Sequence, residues 1–198
     1  MKKTKILVLS IVLIIVSIIV LQCCDNDEYN AFVQQKLTEV SEYLSQKYNN
    51  ANEFVLTEYS TMEGFSALYC MKDEPDFYFR VYYWVNKQQY ADNYLQKILD
   101  REMDTIVRDR LNISNSSDIK DVGIGSMFGP PLDLTNRLYE YYKKLGREPR
   151  VQDIIGLEKF SHVTVYFNKD VVSESEKERI NNLLADLPIE RIEYRVRE

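Results

Sequence analysis

Sixteen consecutive residues, Ile6 to Leu21, carry no charge and are interrupted only by Ser10 and Ser17. A helix of that length rises about 24 Å at 1.5 Å per residue, just short of the ~30 Å hydrocarbon core of a bilayer. A surface helix of a soluble fold shows charged residues along one face, and this run shows none. The segment therefore predicts export or anchoring, and only the remaining chain is left to build a water-exposed fold. Lys2, Lys3 and Lys5 precede the run, whereas Asp25, Asp27 and Glu28 follow it. That asymmetry predicts a cytoplasmic N-terminus and an extracytoplasmic remainder. The chain accordingly divides into an N-terminal signal or membrane anchor, 1–24, and a single extracytoplasmic α+β domain, 25–198.

All 31 acidic residues lie after position 24, together with 22 of the 25 basic ones, so the exported part carries a net charge of −9. Such a surface repels phosphate backbones, which excludes nucleic acid as an expected partner. Cysteine usage is equally restrictive. Cys23 and Cys24 sit at the membrane boundary and Cys70 lies inside the domain, which rules out a disulfide framework. A zinc site wants several Cys or His ligands at short spacing, and His162 is the sole histidine. No metal and no cofactor are expected.

The exported part opens with helix grammar. Tyr29, Phe32, Val33, Leu37, Val40, Tyr43, Leu44 and Tyr48 recur at steps of three and four, defining one apolar stripe. Asn49, Asn50 and Asn52 stop it. Two β-prone runs follow, Phe54–Tyr59 and Phe65–Met71, joined by a Glu63–Gly64 turn. A second turn at Asp73–Asp76 leads into Phe77–Val85, the clearest strand in the chain. Phe77, Phe79, Val81, Tyr83 and Val85 share one face, and Tyr78, Arg80, Tyr82 and Trp84 the other. These three strands predict an antiparallel meander.

Lys87 to about Leu111 reads as a long helix. A polar loop and a short strand at Ile119–Ile124 come next, followed by a connection marked by Gly123, Gly125, Gly129, Pro130 and Pro131. The segment Leu134–Leu145 reads as a helix with Asp133 as N-cap and Gly146 as its stop. Arg147–Ile155 predicts a short second helix with Pro149 in its first turn. The end of the chain reads as a strand–helix–strand unit. It comprises His162–Phe167, a helix opened by a capping box at Ser173 and Glu176, and a strand carrying Ile192, Tyr194 and Val196. Its two strands are expected to be parallel neighbours.

Motifs for chemistry are sparse. Gly123, Gly125 and Gly129 lack the spacing and flanking residues of a phosphate-binding loop. Asp73, Glu74 and Asp76 form a turn, where carboxylates are solvated and lack the raised pKa that a catalytic acid needs. Any Ser-His-Asp or Cys-His system would have to use His162, and no G-x-S-x-G elbow accompanies it. His162 is thus the residue on which an envelope-hydrolase alternative would rest. Aromatic residues supply the stronger signal. The chain holds 15 tyrosines, and Tyr78, Tyr82 and Trp84 lie on one strand face, a row suited to stacking on sugar rings or gripping a protein.

A cysteine directly follows the apolar run, and in this the N-terminal segment resembles a bacterial lipoprotein signal. The resemblance implies acylation of Cys23 or Cys24. In that family the preceding residue is small, whereas Gln22 stands before Cys23 and Cys23 before Cys24; an A-x-A-like cleavage site is missing as well. An uncleaved single-pass anchor through residues 6–21 is the first expectation, and a lipoprotein on the same outer face the alternative. Lys144–Ile154 is similar to the helix–turn–helix phrase of bacterial sigma factors, but an exported acidic domain has no promoter to read. Through Met1–Leu21, Tyr43–Tyr48 and Phe77–Val85, the chain resembles the small membrane-anchored or lipoprotein-like proteins of low-GC Gram-positive bacteria. The expected function is non-enzymatic binding of a protein or cell-wall component at the envelope, with a structural subunit of a membrane complex as a further alternative.

Overall fold

A computed structural model describes residues 27–62, 64–127 and 131–196. The anchor segment 6–21, Cys23 and Cys24, and the loop positions Glu63, Gly129 and Pro130 lie outside the described residues. The chain divides into two compact units between Phe54 and Val55. Among the described residues, no helix is long and apolar enough to cross a membrane.

In the first unit, helix α1 covers residues 27–47. Its buried stripe of Val33, Val40 and Leu44 also carries Lys36 and Lys47, which are paired along the helix, Lys36 with Glu39 at 2.7 Å and Lys47 Nζ donating to the Tyr43 hydroxyl at 2.7 Å. The helix closes as Tyr48 N–H donates to the Leu44 carbonyl, and the Tyr48 ring meets Phe54 edge-on at 6.0 Å.

The second unit contains two sheets. The first has the order β1 (Phe54–Ser60), β2 (Phe65–Met71), β3 (Tyr78–Trp84) and β4 (Gln89–Asp92). Both β2–β3 and β3–β4 are antiparallel, so the expected meander is present with one strand more than its sequence suggested. Its inner face is aromatic. Tyr69 stacks on Phe79 at 5.7 Å, and Phe79 and Phe77 both meet Tyr94 at the start of the following helix.

That helix, α2 (Tyr94–Leu111), begins seven residues later than Lys87. The correction has a local cause. Gln88 sits in the left-handed region at φ 49°, which turns the chain back on itself after Lys87. Residues 89–92 then pair with β3 instead of coiling, and the Asp92 carboxylate accepts the Tyr94 N–H at 3.0 Å to open the helix. Leu95, Leu99, Met103, Val107 and Leu111 follow at steps of four and are all buried. Burying each such side chain contributes roughly 1.5–3 kcal/mol. This stripe faces β3 of the first sheet, β5 of the second, and the two later helices.

The second sheet is mixed, with β6 (Val163–Phe167) between β5 (Ile119–Ile124) and β7 (Ile192–Arg195). β7 runs parallel to β6, as expected for the terminal unit, and β5 adds an antiparallel strand on the other side. Helix α3 (Pro131–Leu145) starts before Asp133, which lies in its first turn and is not the N-cap. Gly146 ends it at φ 66° with its N–H on the Tyr142 carbonyl, a conformation that L side chains resist. The expected helix after Pro149 is only the 3-10 turn Val151–Ile154, its backbone held by Glu102 accepting the Val151 N–H at 2.8 Å. Helix α4 (Glu174–Leu184) uses half of the anticipated capping box. Ser173 Oγ accepts the Glu176 N–H at 3.3 Å, while the Glu176 carboxylate turns to Lys169. Tyr194 of β7 is pinned on α4 by its hydroxyl, which donates to Asn181 Oδ1 at 2.8 Å.

Candidate functional site: an aromatic cleft on the meander

Pairing within the meander decides which side chains share its outer face. Ser66 lies opposite Tyr82, Leu68 opposite Arg80 and Cys70 opposite Tyr78, while Trp84 faces Gln89 across the next pair. Alternation then sends Phe79 and Val81 into the core and leaves Tyr78, Tyr82 and Trp84 at 45%, 37% and 39% exposure. The three aromatics share one strand face and are solvent-facing, and Tyr82 and Trp84 belong to one cleft of about 530 Å³. Ser60, Met62, Ser66 and Arg80 also line it. Tyr78 does not; it stands further along the strand, beside the buried Cys70. Met62, almost fully exposed, forms part of the rim.

Arg80 is the charged centre of this cleft. Its backbone N–H is fixed by Asn93 Oδ1 at 2.6 Å, and one guanidinium N–H donates to Ser66 Oγ at 3.2 Å. Among the described residues, the carboxylate paired with it is Glu58, 4.0 Å away and well exposed. The cleft thus combines the exposed rings of Tyr82 and Trp84 with the serine hydroxyls of Ser60 and Ser66 and the Arg80 guanidinium. Sequence alternation alone named the rings. It missed Ser60, Met62 and Ser66, because a neighbouring strand's contribution depends on register, and register is not written in either strand alone.

A larger cleft of about 660 Å³ lies along α2 and the 147–150 segment. Most of its polar groups are already engaged with protein. Arg147 binds Asp153 at 2.8 and 3.1 Å, Arg101 pairs with Glu74, Glu102 holds Val151, and Glu148 accepts the Tyr94 hydroxyl. It serves as an internal polar joint more than as an open receptor. The Asp73–Asp76 turn belongs to the same network, since the Arg101 guanidinium that grips Glu74 also covers the Phe77 ring at 4.6 Å.

Comparison with protein-family models, curated proteins and solved structures finds no match. What the fold makes available must be read from its own side chains.

Cys70 and His162 lie in different sheets and do not form a thiol–imidazole pair. Cys70 is buried on β2, and His162 immediately precedes β6. His162 Nδ1 is 3.0 Å from Ser161 Oγ, a serine–imidazole contact between adjacent residues. Gly125 packs directly against this pair. Its N–H donates to the His162 carbonyl at 2.8 Å, and a Cβ at position 125 would fall 2.4 Å from Ser161 Oγ and 2.5 Å from His162 Nδ1. Gly125, read from the sequence as part of a connection, thus lies in close approach to these two side chains, and a larger residue there would force them to shift.

One carboxylate stands apart. The pKa of Asp100 on α2 is pushed up to about 6 by burial, partly offset by Lys97 at 3.8 Å, and among the described residues its Oδ1 has no hydrogen-bond partner. It lies outside the aromatic cleft. Among the described residues, no group of three or more His, Cys, Asp or Glu side chains is placed to hold a metal ion.

Proposed function

We propose that this chain is a non-enzymatic binding domain at the outer face of a bacterial cytoplasmic membrane, tethered by residues 6–21, and that its aromatic cleft docks a cell-wall glycan. The observation that carries the reading is the exposure of Tyr82 and Trp84 side by side in a cleft that also presents Ser60, Ser66 and Arg80. Flat rings stack on the apolar face of a pyranose, and neighbouring hydroxyls and N–H groups take its hydroxyls. Folding gives these rings no core to fill, so their large apolar area remains available to a ligand. The lysine-led apolar segment and the resemblance to small envelope proteins support the location.

The test is retention of the full chain, in detergent, on purified cell-wall sacculi. Wild-type protein should bind, and Tyr82→Ala with Trp84→Ala should reduce retention at least tenfold while leaving circular dichroism unchanged. Equal retention of wild type and variant would remove this surface from consideration. The tether is tested by the intact mass of protein taken from its own membrane. The unmodified full-chain mass supports an uncleaved anchor, and a mass starting at Cys23 or Cys24 plus acyl groups supports the lipoprotein alternative.

A further inference from the structure

We infer that the cleft selects a sugar bearing a single carboxylate, which Arg80 receives while Tyr82 and Trp84 hold the ring. This rests on the glycan reading of the same site and goes beyond it by naming the chemistry of the ligand.

Arg80 occupies the middle of the row, with Tyr82 and Trp84 following it on the same strand face. A guanidinium has five N–H donors in a planar fork that matches a carboxylate in bidentate fashion. Among the described residues, this one spends a single hydrogen bond, at 3.2 Å to Ser66 Oγ. Its ion pair with Glu58 spans 4.0 Å, beyond hydrogen-bond distance, and the Glu58 side chain is 63% exposed. Other arginines of this chain are committed more fully. Arg137 binds Glu158 at 2.6 and 3.1 Å, and Arg147 binds Asp153 at 2.8 and 3.1 Å. Arg80 is thus a cation positioned by its backbone and by Ser66, with spare donors in an open cleft.

The acidic character of the whole chain restricts the ligand further. With a formal net charge of −6, the protein disfavours a polyanion at long range. A lone carboxylate held at contact distance escapes most of that repulsion, because exposed charges beyond a Debye length of about 8 Å are largely screened at physiological salt. The ligand class is thus a mostly neutral glycan with one acidic substituent.

N-acetylmuramic acid and N-acetylglucosamine make a matched pair of probes, since they differ by one lactyl carboxylate. Trp84 is the sole tryptophan, so its emission in the full chain reports on the cleft directly. Titration should give at least tenfold tighter binding of the acidic sugar, as expected for one charge-assisted pair. Arg80→Gln should abolish that ratio, and Glu58→Gln should enlarge it by releasing Arg80. Circular dichroism of each variant controls for folding. Equal affinity for the two sugars, or a ratio that survives Arg80→Gln, would overturn the inference and leave the glycan reading standing. Failure of both sugars to move the emission would overturn both.

Discussion

The two sheets of the second unit use similar strand lengths to opposite ends. In the mixed sheet, the central strand β6 buries Val163, Thr164, Val165 and Phe167 and leaves only Tyr166 in solvent. In the meander, β3 alternates strictly, burying Phe79 and Val81 while Tyr78, Tyr82 and Trp84 remain outside. Strand β1 goes further, with Val55, Leu56 and Tyr59 all exposed. A strand covered on both faces reads as a nearly continuous apolar run, and one covered on a single face reads as alternation. The difference teaches where to look for function. Phe167 on the mixed sheet is explained by packing and Tyr166 there is a lone exposed ring, whereas the meander places the exposed rings of Tyr82 and Trp84 together in one cleft.

The comparison is broken most severely through the buried faces. Phe79→Ala in the meander and Phe160→Ala beside β6 should each cost about 4 kcal/mol in urea unfolding, because both rings are fully enclosed. Equal losses would show that the inner faces are equivalent and that the contrast lies outside. A loss under about 1 kcal/mol for Phe79 would mean the meander lacks a real core.

Asp100 sharpens the comparison from the helix that touches both sheets. Burial favours its protonated form, so its folded value of about 6 stands above the ordinary 3.8. Its contribution to stability is therefore full below about pH 4 and is lost as pH rises through 6. The difference corresponds to about 2–3 kcal/mol. Asp100→Asn should be more stable than wild type by about 2 kcal/mol at pH 8, and the gain should vanish near pH 4. Exposed carboxylates such as Asp153, which the Arg147 guanidinium holds below the usual range, act in the opposite direction and only at lower pH. A pH-independent difference between Asp100→Asn and wild type would contradict the assignment.

Ser173→Ala removes the N-cap of α4, which packs against α2, and should cost about 1 kcal/mol. The smallest stability effect is expected where the functional effect is largest. Tyr82→Ala and Trp84→Ala should each change unfolding free energy by about 0.5 kcal/mol, as surface positions do. A loss comparable to that of Phe79→Ala would mean these rings are structural after all.

Much of this architecture was legible in residues 27–196. Period-two alternation marked β3, the Ser173–Glu176 spacing marked the start of α4, and Gly146 marked the end of α3. What escaped depended on interactions between segments. β4 is four residues long and shows no apolar alternation of its own; it is a strand because the left-handed Gln88 folds it onto β3. The pairing of β5 with β6 is likewise non-local. Of the site, the two rings were visible and the cleft was not, since Ser66 joins Tyr82 only through the β2–β3 register. The importance of Gly125 was hidden for the same reason, because the side chains it accommodates lie 36 and 37 positions later in the sequence.

Trp84 offers a direct view of the cleft proposed to receive a glycan. Tryptophan emission of the full chain should be recorded during titration with soluble cell-wall glycan fragments. The account expects a saturable blue shift that is lost in Tyr82→Ala. Emission that stays constant across the titration, with the protein folded by circular dichroism, would contradict it.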